Sequence, residues 1–95
     1  MKDFVGKVAV VTGATRGIGQ AIAERCITEG MNVVLAAMDK RALRQSQERI
    51  KKLGGRAIAV PTDVSRPDRV EALLRETLQE YGAVHLLVNN AGWVR

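Results

Sequence analysis

Four short runs rich in Val, Leu and Ala constrain the fold of this chain more than any other feature. They cover residues 8–12, 33–37, 57–60 and 86–89, and their apolar residues are consecutive rather than alternating with polar ones. Strands that are covered by helices on both faces of a parallel sheet have this composition. The runs begin 24 to 29 residues apart, which leaves room for a helix between each pair. The pattern therefore predicts the order βαβαβαβ.

Three helices are predicted between the strands. The first covers about 18–29 and ends before Gly30, and the second covers about 40–53 and ends before Gly54. The third has Ser65 as its N-cap, with Pro67 in the first turn, and ends before Gly82. The residues expected on their inner faces are Ile18, Ala21, Ile22, Cys26 and Ile27, then Leu43, Ile50 and Leu53, then Val70, Leu73, Leu74, Leu78 and Tyr81.

Right-handed crossovers between parallel strands place helices on both faces of the sheet. The expected fold is an α/β, doubly wound parallel sheet, a half-Rossmann βαβαβαβ arrangement with strand order 3-2-1-4. In that order the run at 86–89 lies at one edge of the sheet. Its unpaired backbone groups make self-association a predicted hazard.

Charge and composition exclude several classes of protein. The net charge of +5 is concentrated between residues 40 and 56, where seven basic residues face one acidic residue. The three aromatic residues, Phe4, Tyr81 and Trp93, are too scattered for a base-stacking platform, so no nucleic-acid partner is expected. The longest apolar run, residues 33–38, holds six residues, so no membrane span is expected. Cys26 is the only cysteine, which excludes an internal disulfide and a multi-cysteine metal site.

The first strand leads directly into Thr-Gly-Ala-Thr-Arg-Gly-Ile-Gly, residues 12–19, and then into a helix. Gly13 permits the tight turn, Gly17 permits close approach of the backbone to a ligand, and Gly19 permits close packing of the helix on the strand. The amides and the positive dipole end of the helix favour a pyrophosphate there. A glycine triplet placed between a strand and a helix indicates a dinucleotide-binding turn.

These residues resemble the short-chain dehydrogenase/reductase family. Residues 12–19 have that family's TGxxxGIG spacing, and Asn89, Asn90, Ala91 and Gly92 are similar to its NNAG motif. The resemblance covers the entire chain. It implies that residues 1–95 form an NAD(P)-binding Rossmann-type domain, the N-terminal portion of a longer domain in members that run to about 250 residues.

The resemblance also implies roles for individual residues. The diphosphate turn would be formed by Gly13, Thr15, Arg16, Gly17, Ile18 and Gly19. Asp63 would accept a hydrogen bond from the adenine amine, and the amide of Val64 would reach a ring nitrogen. Asn90, Ala91 and Gly92 would line the path of the ribose and nicotinamide, whereas Asn89 would tie the fourth strand to its neighbours.

The choice between NADP and NAD depends on the end of the second strand. In the family's register Ala37 stands where a carboxylate would bind the ribose 2′-hydroxyl of NAD, and Met38 follows where NADP-using members often carry a base. Asp39 could still reach the ribose, whereas Arg16 favours a phosphate. Lys40 and Arg41 favour a phosphate as well. NADP is the preferred cofactor, and NAD is the alternative.

No catalytic residue is assigned. The family's proton donor is a tyrosine with a lysine four residues later, aided by a serine, and no such tyrosine–lysine pair is present. The two serines, Ser46 and Ser65, are expected on an exposed helix and at a helix N-cap. Tyr81 is followed four residues later by His85, and both residues are expected to pack in the core.

The expected function is cofactor binding in an oxidoreductase that transfers hydride between nicotinamide and a carbonyl or alcohol. The alternative is a stand-alone, non-catalytic nucleotide-binding module. A cytoplasmic location is expected, and the complete protein is expected to be a homo-oligomer acting on a small molecule.

Overall fold

The computed structural model describes residues 2–90, and Ala91 and Gly92 lie outside that range. The strands are β1 (Val8–Thr12), β2 (Asn32–Ala37), β3 (Ala57–Pro61) and β4 (Leu86–Asn89), which match the four predicted runs within one residue. The helices are α1 (Gly17–Thr28), α2 (Lys40–Lys52) and α3 (Pro67–Tyr81). A short 3-10 helix, Lys2–Phe4, precedes β1.

The four strands form one parallel sheet in the order β3-β2-β1-β4, which confirms the predicted topology. The register sets Val10 of β1 beside Val34 of β2 and beside Leu87 of β4. The central strands β1 and β2 are almost completely buried, because helices cover both of their faces.

Two hydrophobic cores flank the sheet. Alternate residues of the strands, such as Ala9 and Leu35, pack with α1 and α2 on one face, where Leu43 and Ile50 are buried. Their neighbours in sequence pack on the opposite face against α3, where Leu73 is 1% exposed. The sheet is therefore covered on both sides, as a doubly wound fold requires.

Several predicted helix faces differ from the observed ones. Ile18 is 71% exposed, because it lies at the open first turn of α1 rather than under the helix. Leu53 and Leu78 are also more than half exposed. Ser46, expected on an exposed helix, is buried with Leu43 on the inner face of α2.

The predicted N-cap of α3 was wrong. Arg66 occupies the N-cap position with extended backbone, and Pro67 is the first helical residue. Ser65 instead hydrogen bonds to Asp63 through both its amide and its hydroxyl, at 3.0 and 2.6 Å. This turn uses the hydroxyl that would otherwise cap the helix.

Candidate functional site

A cleft of about 720 Å³ opens at the carboxyl ends of the strands. Parallel α/β sheets bind ligands at this edge, beside the point where the strand order reverses. In the order β3-β2-β1-β4 that point lies between β1 and β4. The cleft is lined by Gly13, Thr15, Arg16, Gly17, Ile18, Ala37, Met38, Asp39, Ala42, Thr62, Val64 and Asn90.

The glycine turn that follows β1 forms one wall of the cleft. Gly13 and Gly17 have φ angles of +59° and +60°, a region that residues with a Cβ rarely occupy. No atom lies within 4 Å of the place where a Cβ of Gly17 would be, so the backbone there is open to the cleft. A ligand can therefore approach the chain closely at this residue.

Gly19 has a different function in the same turn. A Cβ at Gly19 would overlap the carbonyl of Gly13, and it would lie 2.5 Å from Nδ2 of Asn90. The first turn of α1 therefore packs directly on the turn that follows β1. This contact is the close helix–strand packing that the sequence predicted for Gly19.

The amino end of α1 faces the cleft without an internal cap. The first amides of a helix have no partners within it. Arg16 is the N-cap residue and its side chain makes no capping hydrogen bond, and the first turn contains no acidic residue. These amides and the helix dipole make the turn suitable for an anion, and the exposed Arg16 adds a positive charge beside it.

The end of β4 holds the glycine turn in place. Nδ2 of Asn90 donates a hydrogen bond of 3.3 Å to the carbonyl of Gly13. Oγ1 of Thr12 lies 3.3 Å from the carbonyl of Val88 and 3.2 Å from Oδ1 of Asn89. Asn89 thus ties β4 to β1, as predicted, and Asn90 reaches the cleft.

The end of β2 forms the opposite wall. Ala37 is partly buried and Met38 is 70% exposed, and both border the cleft. Asp39 also borders it, but its Oδ1 accepts hydrogen bonds from the amides of Arg41 and Ala42, at 2.9 and 3.2 Å. Its carboxylate therefore caps α2.

Asp63 and Val64 follow the end of β3, and only one of them borders the cleft. Val64 lines it, whereas Asp63 does not. The hydroxyl of Ser65 and, to a smaller extent, its amide donate hydrogen bonds to the Asp63 carboxylate. These bonds hold the pKa of Asp63 below its usual value. The adenine contact of Asp63 stays a prediction.

The structure also adds Thr62 and Ala42 to the cleft. The position of Thr62 directly after β3 is a signal that could have indicated it.

Neither Tyr81 nor His85 lines the cleft. Tyr81 packs against the α3 side of the core, and burial, followed by the charge of Glu80, raises the pKa of its hydroxyl. His85 is exposed, so the expectation that it packs in the core was wrong. It pairs with Val8: Nδ1 accepts from the Val8 amide at 3.0 Å, and the His85 amide donates to the Val8 carbonyl at 2.9 Å. Both residues therefore have structural roles in the described part of the chain.

Residues 7–95 match the family model described as short chain dehydrogenase. Glucose 1-dehydrogenase 2 of Bacillus subtilis is 44% identical over 93 residues, which are 97% of this chain and 36% of the relative. 3beta-hydroxysteroid dehydrogenase 1 of Eggerthella lenta is 43% identical over 91 residues, which are 95% of this chain and 35% of the relative. The chain thus spans about a third of the length of these relatives.

Solved structures are similar over nearly the whole chain. A short-chain dehydrogenase/reductase from Burkholderia phymatum in complex with NAD has a TM-score of 0.86 and 45% identity, covering 92% of this chain and 31% of that one. A metagenomic short-chain oxidoreductase in complex with NADP has a TM-score of 0.89 and 44% identity, covering 94% of this chain and 40% of that one. Within residues 2–90 no helix is long and apolar enough to cross a membrane.

Proposed function

The chain belongs to the short-chain dehydrogenase family, and on that premise we propose that it forms the cofactor-binding portion of an NAD(P)-dependent oxidoreductase. One observation carries the proposal. The uncapped amino end of α1 opens, at Gly17, into a cleft at the carboxyl ends of the parallel strands. An extended dinucleotide would cross this cleft from the end of β2 to the end of β4.

The residues of the cleft suit the parts of such a cofactor. The first amides of α1 would bind the pyrophosphate, and the open backbone at Gly17 would let it approach. Met38 and Val64 offer apolar surface for the adenine, and Asn90 lies on the side expected for the ribose and nicotinamide. When bound, the nicotinamide supplies or accepts the hydride for a carbonyl or alcohol substrate in the complete protein.

We further propose that NADP is preferred over NAD. The capping bonds from Arg41 and Ala42 hold the Asp39 carboxylate on α2, which supports the view that it does not bind a ribose 2′-hydroxyl. Arg16 borders the cleft and is exposed, so its guanidinium can pair with a 2′-phosphate. NAD binding is the alternative.

Calorimetric titration of the 95-residue chain with NADPH and with NADH tests both proposals. We expect both to bind, NADPH more tightly. Arg16→Gln is expected to weaken NADPH binding more than NADH binding, because both cofactors lose the positive charge beside the pyrophosphate and only NADPH also carries a 2′-phosphate. Absence of binding by a folded chain would contradict the proposed site, and equal affinities would contradict the NADP preference.

A second candidate is a non-catalytic module that binds nucleotide without turnover. The observation in its favour is that neither Tyr81 nor His85 borders the cleft. The complete coding sequence distinguishes the two, since an oxidoreductase must carry a serine and a Tyr-x3-Lys motif after residue 95. The first proposal includes three further points. The complete protein is cytoplasmic, it is a homo-oligomer, and residues 1–95 form the N-terminal part of its domain. Fractionation and sedimentation of the complete protein test the first two.

A further inference from the structure

Charge is distributed unevenly over the three helices. α2 carries six basic residues and one acidic residue, α1 carries one of each, and α3 carries two basic and four acidic residues. α2 packs with α1 on one face of the sheet, and α3 packs on the other face. The excess positive charge of the helices therefore lies on α2, which packs against β2 and β3.

The first two turns of α2 bring three of these basic residues to the edge of the cleft. Asp39 and Ala42 line the cleft, and Lys40, Arg41 and Arg44 beside them are exposed. Within residues 2–90 the ion pairs involve other basic residues, so no carboxylate pairs with any of these three. Their positive charges are therefore available to a ligand that approaches the cleft.

Arg44 lies close to the cleft without lining it. It follows the cleft residue Ala42 by two positions, which is about 3 Å along the helix axis. Lys51 is exposed as well, but it follows Ala42 by nine positions, which is about 14 Å along the axis. The two residues therefore carry the same charge on the same helix at different distances from the cleft.

We propose that the basic residues in the first two turns of α2, Arg44 among them, steer the anionic cofactor into the cleft and make NADPH associate faster than NADH. The proposal rests on the proposed cofactor site. It goes beyond the pairing of Arg16 with the 2′-phosphate, because steering acts before any contact forms. Charges of one sign beside a cleft raise the association rate constant kon of an oppositely charged ligand and have little effect on the dissociation rate constant koff.

The expected size of the effect follows from Coulomb's law and from screening by salt. NADPH carries about four negative charges and NADH about two, because only NADPH has the 2′-phosphate. At a separation on the order of 10 Å, and with a Debye length of about 10 Å at 0.1 M salt, loss of the Arg44 charge should lower the kon of NADPH about threefold. The kon of NADH should fall less than about twofold. At 1 M salt the Debye length is about 3 Å, so both effects should vanish.

Stopped-flow mixing of the 95-residue chain with NADPH or NADH, followed by cofactor fluorescence at about 0.1 M and about 1 M salt, tests the proposal. Arg44→Gln should lower the kon of NADPH as calculated and leave koff unchanged. Lys51→Gln is the matched control, because it removes the same charge from the far end of the same helix, and it should change kon less than about 1.5-fold. Arg44→Lys keeps the charge and should retain the kon of the unmodified chain. Circular dichroism checks that all variants are folded.

Several outcomes would overturn the proposal. One is a kon of Arg44→Gln equal to that of the unmodified chain or of Lys51→Gln. Another is a change confined to koff, because it would identify Arg44 as a direct contact of the bound cofactor. Equal effects of Arg44→Gln on NADPH and NADH would overturn the contribution to selectivity. Cofactor binding with a kon independent of Arg44 would leave the proposed function intact, whereas a folded, unmodified chain that bound neither cofactor would overturn both.

Discussion

The glycine turn gives the sharpest prediction, because two glycines with positive φ and open surroundings differ in whether they border the cleft. Gly17 has φ +60° and Gly54 has φ +89°, and no atom lies within 4 Å of the place where a Cβ would be at either residue. Substitution by alanine should therefore cost only backbone strain, about 1 to 2 kcal/mol of unfolding free energy in each case. The difference is that Gly17 borders the cleft and Gly54 does not.

Gly17→Ala should weaken NADPH binding, because its new methyl group occupies the space through which the pyrophosphate reaches the α1 amides. Loss of one charge-assisted hydrogen bond, worth about 1.5 to 3 kcal/mol, raises the Kd about 10- to 150-fold. Gly54→Ala should leave the Kd unchanged. Calorimetric titration gives the Kd, and urea unfolding gives the folded fraction with which it is corrected. Equal Kd values for the two variants would refute the assignment of the pyrophosphate to this turn.

Three further predictions concern stability and specificity. The side-chain hydrogen bond from Arg49 holds the pKa of Glu24 below its ordinary value of 4.5. The pair therefore stabilises the fold above that pH, and this contribution is lost as the pH falls through the lowered pKa of the folded state. Because this pair is partly exposed, Glu24→Gln should cost only about 0.5 kcal/mol of unfolding free energy at about pH 7 and nothing at about pH 2, by urea titration. Leu73→Ala should cost about 2 to 4 kcal/mol by the same method, because Leu73 is 1% exposed, whereas Leu78→Ala at a half-exposed position should cost less than about 1 kcal/mol. Asp39→Asn keeps an oxygen to cap α2 and removes a negative charge from the cleft, so NADPH should bind more tightly relative to NADH; an unchanged ratio would contradict this.

The architecture could be predicted from the sequence because the signals for it are local. Continuous apolar runs separated by helix-length segments permit few arrangements when crossovers are right-handed. The glycine turn was recognisable for the same reason, since its residues are adjacent in the chain. Its predicted contacts depend on a strand before and a helix after, and both are present.

Other features depend on contacts that a one-dimensional pattern does not contain. Ile18 follows the apolar period of α1 but lies at its open first turn, so it borders the cleft instead of the core. Ser65 is a residue type that often caps helices, yet its hydroxyl hydrogen bonds to the nearby Asp63 instead. Arg66 occupies the N-cap position with extended backbone and makes no side-chain capping hydrogen bond. Leu78 has the spacing of a core residue, but it is 51% exposed on α3.

The wall of the cleft formed by β2 was only partly predictable. Ala37 and Met38 follow from the family register, but whether Asp39 binds the cofactor or caps α2 depends on the direction of one side chain. The structure gives the capping arrangement, through the amides of Arg41 and Ala42. The proposed preference for NADP rests in part on this arrangement.

We propose above all that the first amides of α1 bind the pyrophosphate. Amide chemical shifts of the isotopically labelled 95-residue chain, recorded by NMR during titration with NADPH, report on this contact residue by residue. We expect the largest, saturable changes at the amides of Gly17 and Ile18, with smaller ones at Met38 and Val64. Saturable changes that leave Gly17 and Ile18 unaffected and concentrate elsewhere would contradict it.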